Sequence, residues 1–110
     1  YVVRDGSTAV IFSGDTGPTD ALWEIVNTDE KIKAVFVETS FPNELQTIAD
    51  SSGHFTPQTL DADLRKLTGN TTPIYLYHLK PKFYDTIVKE INTLKRDNLV
   101  ILQNDLRLTF

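Results

Sequence analysis

Four residues have side chains and placements suited to chemistry: Asp15, Glu38, His54 and His78. Asp15 sits in a Gly-Asp-Thr-Gly loop directly after an apolar run. Glu38 closes a second apolar run, and His78 closes an aromatic one. His54, the other histidine of the chain, lies in a polar loop. Carboxylates and imidazoles together do two kinds of work: they ligate divalent metals, and they move protons in acid–base catalysis. Each residue also has an ordinary reading. Asp15 suits a turn or cap, Glu38 a solvated carboxylate, His54 a loop ring bonded to backbone, and His78 a satisfied half-buried imidazole. Each residue alone is a weak signal, but sites in open α/β sheets form beyond the carboxyl ends of strands, where residues distant in sequence can converge.

The elements that must position these groups can be read from the pattern. Tyr1–Arg4 and Thr8–Phe12 are β-branched and aromatic runs around Asp5-Gly6, a tight-turn signal, and predict a hairpin. Thr19 or Asp20 is placed to cap a helix reaching about Asn27, with Leu22, Trp23, Ile25 and Val26 as its apolar positions. Ala34–Val37 predicts a buried strand ending at Glu38. Phe41-Pro42 opens a helix through about Asp50, with Leu45, Ile48 and Ala49 inward. After the loop 51–55, Thr56 caps a further helix with Pro57 at its first position, a Leu60, Leu64, Leu67 stripe, and Gly69-Asn70 at its end. Pro73–Tyr77 predicts a strand ending at His78; Phe83, Ile87, Ile91 and Leu94 mark a helix to Arg96. Leu99–Leu102 and Leu106–Leu108 read as a closing hairpin around Asn104-Asp105. Alternation of this kind predicts an α/β layer fold, with about four helices on a mixed sheet.

Composition narrows the function classes. The 110 residues suit one domain and are 40% hydrophobic and 24% charged, as in ordinary globular chains. No apolar run approaches the roughly 18 residues a membrane span needs. With 11 basic and 15 acidic residues the net charge is −4, which disfavours general binding to nucleic acid, where phosphate neutralisation dominates affinity. Cysteine is absent, so disulfides, thiolate metal sites and cysteine nucleophiles are excluded. The chain begins with Tyr1 and contains no Met, so the reading is of one domain, 1–110, excerpted or processed from a longer chain.

Taken together, the four residues form an ordered set. Phe36-Val37-Glu38-Thr39-Ser40-Phe41-Pro42-Asn43, Ser52-Gly53-His54-Phe55-Thr56-Pro57 and Tyr77-His78-Leu79-Lys80-Pro81 follow the Gly-Asp-Thr-Gly loop. The set resembles the C-terminal half of class II 3′,5′-cyclic-nucleotide phosphodiesterases of the metallo-β-lactamase fold, over about Val10 to Tyr84. The tRNA 3′-processing members of that fold share the order more loosely.

The resemblance implies half of an αββα sandwich and two Zn²⁺ ions in the full-length enzyme. Asp15 would bridge the metals and His78 would ligate the second. His54, paired with Glu38, would handle the proton at the leaving oxygen. Thr16 and Lys80 become weak substrate-contact candidates. The family's upstream His-x-His-x-Asp-His cluster has no counterpart among these residues. The expectation is therefore a C-terminal part of a metallo-hydrolase, inactive and metal-free or partly occupied by itself. It would pack on its missing N-terminal half or dimerise. Cyclic nucleotides are the implied substrate, with no membrane or general nucleic-acid partner. A tRNA-end nuclease and a non-catalytic α/β interaction domain are the other readings.

Overall fold

Residues 2–14, 17, 19–68 and 72–102 are described by a computed structural model. Among them a mixed five-stranded sheet and four α-helices form an α/β fold. Strands β1 (Val2–Asp5) and β2 (Thr8–Phe12) pair antiparallel, with Asp5 opposite Thr8. The turn therefore falls on Gly6-Ser7, one residue later than the Asp5-Gly6 signal suggests. Gly6 takes a φ of +60°, a left-handed conformation that costs glycine little. Tyr1 lies outside the described residues.

From β2 onward the strands run parallel. β3 (Ile32–Glu38), β4 (Ile74–Tyr77) and β5 (Leu99–Ile101) follow in spatial as in sequence order. Parallel neighbours need crossover connections, which the helices supply. Helix α1 (Ala21–Thr28) links β2 to β3. Helices α2 (Gln46–Ser52) and α3 (Pro57–Leu64) link β3 to β4, and α4 (Tyr84–Thr93) links β4 to β5. Of the expected closing hairpin, Leu99–Ile101 is a strand, parallel to β4; the arm at 106–108 lies outside the described residues.

β3 is central and almost wholly buried. The register slips between Ala9–Ile32 and Val10–Ala34, so Lys33 is the extra residue on β3. That bulge turns Lys33 to solvent while Ile32, Val35 and Val37 all join the core. One sheet face, carrying Ala9, Ile11, Val35, Val37, Ile74 and Leu76, packs against Trp23, Leu60, Leu64, Ile87 and Ile91 of the helices. Burying each such large side chain contributes roughly 1.5–3 kcal/mol. Across the opposite face runs a row set by the register: Phe12, Phe36, Tyr75, Val100. Its rings stack, Phe12 on Phe36 at 4.6 Å and Phe36 on Tyr75 at 5.1 Å between centroids. Val3, Phe12 and Val100 are exposed there.

The helices depart from the sequence pattern in instructive ways. Pro42 stays extended, and a single 3₁₀ turn, Asn43–Leu45, precedes α2, so that helix starts later than Phe41-Pro42 suggests. Ile48 then falls on the outer side and is exposed, as is Ile25 on α1; Ala49 and Trp23 are the residues buried from those two helices. Asp20 occupies the α1 cap position without a side-chain cap bond, because its carboxylate faces the Lys66 ammonium at 2.6 Å. Thr56 does cap α3, in a reciprocal box with Thr59, and Pro57 follows it as the pattern predicts. α3 ends at Leu64, before the Gly69-Asn70 signal, which lies outside the described residues.

One polar hub ties α1 to α3. Asp63 is 3% exposed; its Oδ2 accepts from the Trp23 indole N–H and from the Thr19 backbone N–H, and its Oδ1 accepts from Lys66 at 2.6 Å. Hydrogen bonding to Asp20, then to Asp63, holds the Lys66 ammonium above its ordinary pKa of 10.5. At the far edge the Arg4 guanidinium donates to Asp29, at 2.8 Å, and with the Lys31 N–H keeps that carboxyl below its ordinary 3.8. Among the described residues no helix is long and apolar enough to cross a membrane.

Candidate functional site

The carboxyl end of β3 is where the polar residues gather. The Glu38 N–H donates to Ser13 Oγ at 3.3 Å, and the Ser13 N–H to the Phe36 carbonyl at 2.8 Å, so the loop after β2 runs beside β3. On the other side the Thr39 N–H donates to the Tyr77 carbonyl at 3.2 Å, which draws His78 up to the same edge. His54 arrives by a third route. Gly53 ends α2 in a left-handed conformation, the His54 N–H returns to the Ala49 carbonyl at 2.9 Å, and Phe55 then forms a parallel bridge with Thr39.

The last two of these routes converge on one oxygen. Glu38 is 4% exposed, and Ser40 Oγ donates to its Oε1 at 2.7 Å. Glu38 and Ser40 are two apart on extended chain, which puts both side chains on one side. His78 Nδ1 lies 2.9 Å from the same Oε1, and His54 Nδ1 lies 3.2 Å from it. Both imidazole contacts are close enough for an ion pair but are off the line of a well-formed hydrogen bond, and nothing else among the described residues aligns with His54 Nδ1. The two rings differ in exposure: the His54 side chain is 17% exposed and the His78 side chain 61%.

The surroundings fix the rings further. Phe41 meets the His54 imidazole edge-on, with centroids 5.7 Å apart, and leans on Phe83. Lys80 Nζ stands 5.2 Å from the centre of the Phe41 ring, so the Lys80 cation borders the cluster. A Cβ built on Gly17 would lie 3.6 Å from the Gly53 carbonyl carbon and from the His54 oxygen, so the β2–α1 loop lies directly against the His54 backbone. His78 itself takes a φ of +58°, unusual for a residue with a side chain. Beside it opens a shallow cleft of about 350 Å³, lined by His78, Leu79, Pro81, Tyr84 and Leu102.

Glu38, His54 and His78 are thus brought together, and Lys80 stands near them. Asp15 and Thr16 lie outside the described residues. Ser40 went unassigned in the sequence, although the Glu-x-Ser spacing on extended chain carries the signal. The direct contact between His78 and Glu38 was not expected either. A carboxylate behind Nδ1 directs a histidine to ligate through Nε2, the arrangement common around zinc, so His78 suits one ligand position. Among the described residues no group of three or more His, Asp or Glu is placed to hold a metal, so the further donors a zinc pair needs are not supplied by them.

No family model, no curated protein and no solved structure matches this chain. The likeness to cyclic-nucleotide phosphodiesterases rests on the segments around Asp15, Glu38, His54 and His78 alone.

Proposed function

We propose that this chain carries part of the active site of a metal-dependent phosphodiesterase that hydrolyses 3′,5′-cyclic nucleotides to 5′-monophosphates. The observation that supports it is the convergence of His54 and His78 on the buried Glu38 carboxylate, at 3.2 and 2.9 Å. A lone turn or packing histidine has no need of a buried anion, whereas a proton-handling or metal-ligating imidazole is commonly held by one.

In this reading His54 is the proton donor. Water adds to phosphorus, the P–O3′ bond breaks, the His54 proton passes to the departing O3′, and the proton that the water gives up restores the imidazolium. Glu38 stabilises the charged imidazole before transfer and fixes the ring plane, in concert with Phe41. Lys80 contributes positive charge toward the phosphoryl oxygens. Two zinc ions, when bound through Asp15, His78 and donors outside these 110 residues, supply Lewis acidity at phosphorus. The row Phe12, Phe36, Tyr75 and Val100 offers the face on which the segment bearing those donors would lie.

The test uses the protein joined to that segment. Cyclic AMP and cyclic GMP should be hydrolysed, precursor tRNA should not, and zinc should be present by elemental analysis. His54→Ala should keep the zinc and slow turnover by roughly 100- to 10,000-fold. His78→Ala should lose zinc and activity together. Cleavage of tRNA with no action on cyclic nucleotides would move the assignment to the end-processing nucleases. A protein with neither zinc nor activity would be an interaction domain.

A further inference from the structure

The oxygen shared by the two histidines carries an inference of its own. A carboxylate oxygen has two lone pairs, yet three donors face Glu38 Oε1: Ser40 Oγ at 2.7 Å, His78 Nδ1 at 2.9 Å and His54 Nδ1 at 3.2 Å. Of these, the Ser40 contact is a well-formed hydrogen bond, while both imidazole contacts are at ion-pair distance. His54, longest and off-line, is left without an aligned partner for Nδ1 although its ring is largely enclosed. Both rings nevertheless present Nδ1, not Nε2, to the carboxylate.

We infer that Glu38 is a single positioning residue for both imidazoles. It holds each ring with its proton on Nδ1, leaves Nε2 as the working nitrogen of each, and makes the two rings compete for one oxygen. Only the roles attached to the two Nε2 atoms rest on the phosphodiesterase reading; the tautomers and the competition rest on geometry alone. The consequence is coupling: whatever draws His78 away from Oε1 leaves room there, and His54 closes onto it. Removing Glu38 should affect both rings at once.

The chain has two histidines, so its imidazole nitrogens can be resolved without crowding. The experiment is long-range ¹H–¹⁵N NMR on the uniformly labelled 110-residue chain at pH 8, with His54→Ala and His78→Ala as assignment variants. In the unsubstituted protein both Nδ1 atoms should carry a proton. In His78→Ala the His54 Nδ1 proton should exchange severalfold more slowly, as its bond to Oε1 forms. In Glu38→Gln, with folding checked by circular dichroism, both rings should move toward the Nε2–H tautomer that free histidine prefers. A bare Nδ1 on either ring of the unsubstituted protein overturns the inference, as does His54 exchange that ignores the loss of His78. These readouts need no zinc and no substrate. If they come out as expected while cyclic nucleotides are not hydrolysed, the positioning role stands and the phosphodiesterase reading falls.

Discussion

Two carboxylates are buried in this protein to nearly the same depth, Glu38 at 4% exposure and Asp63 at 3%, and they do different work. Asp63 accepts from an indole N–H, a backbone N–H and an ammonium, joining three segments distant in sequence. Each of those donors needs an acceptor in the folded state, and none has ordinary acid–base chemistry near neutral pH. Glu38 accepts from a hydroxyl and faces two imidazoles, groups that can both donate and accept a proton. Burial alone therefore does not mark a functional carboxylate; the nature of its donors does. Asp63 sits in the last turn of α3 beside core leucines, whereas Glu38 stands at a strand's carboxyl end where loops meet.

That contrast can be broken or sharpened by substitution. The largest stability effect should come from Asp63→Ala, which leaves the buried Trp23 N–H without its acceptor and strips Lys66 of a partner; a loss of about 3 kcal/mol is expected in urea unfolding. Trp23→Phe keeps most of the ring volume and removes one donor, so it should cost about 1–2 kcal/mol in the same assay. Glu38→Gln retains the side-chain shape and should cost about 1 kcal/mol or less in stability. If Glu38→Gln instead destabilises as much as Asp63→Ala, the division into a structural and a functional carboxylate fails.

The smallest effect is electrostatic. The Lys66 pKa is raised by its bonds to Asp20 and Asp63, so its stabilising contribution is complete below the ordinary value of 10.5. It should fade as pH rises through the folded-state value above that. Lys66→Gln should abolish that alkaline component while leaving stability near pH 8 little changed, because the ammonium is well exposed.

Much of the fold was legible because it rests on local rules. The β-branched runs in β2, β3 and β4 cannot be helix stripes, and Thr56-Pro57 states a helix start with little ambiguity. Ile25 and Ile48 were misread because a short helix with apolar residues on several sides does not say which side meets the sheet; packing decides that. The bulge at Lys33 was illegible for a similar reason, since register belongs to a pair of strands. At the site, Glu38 and His54 were legible through the spacing of their segments. The His78–Glu38 contact required knowing that β4 lies beside β3. Asp63 was overlooked although its signal was present: Leu60, Asp63, Leu64 and Leu67 follow the i, i+3, i+4, i+7 pattern, and an acidic residue on that stripe must find partners inside.

The twist of the backbone at His78 sets two demands against each other. A left-handed φ at a residue bearing a Cβ is strained by about 1–2 kcal/mol, a strain that glycine escapes. Random variation screened for heat resistance alone should therefore drift toward glycine at this one position, trading the imidazole for a more relaxed main chain. Variants recovered that way would be the sturdiest of the set and would have lost the imidazole that faces Glu38, so hardiness and chemistry would part company at a single peptide unit.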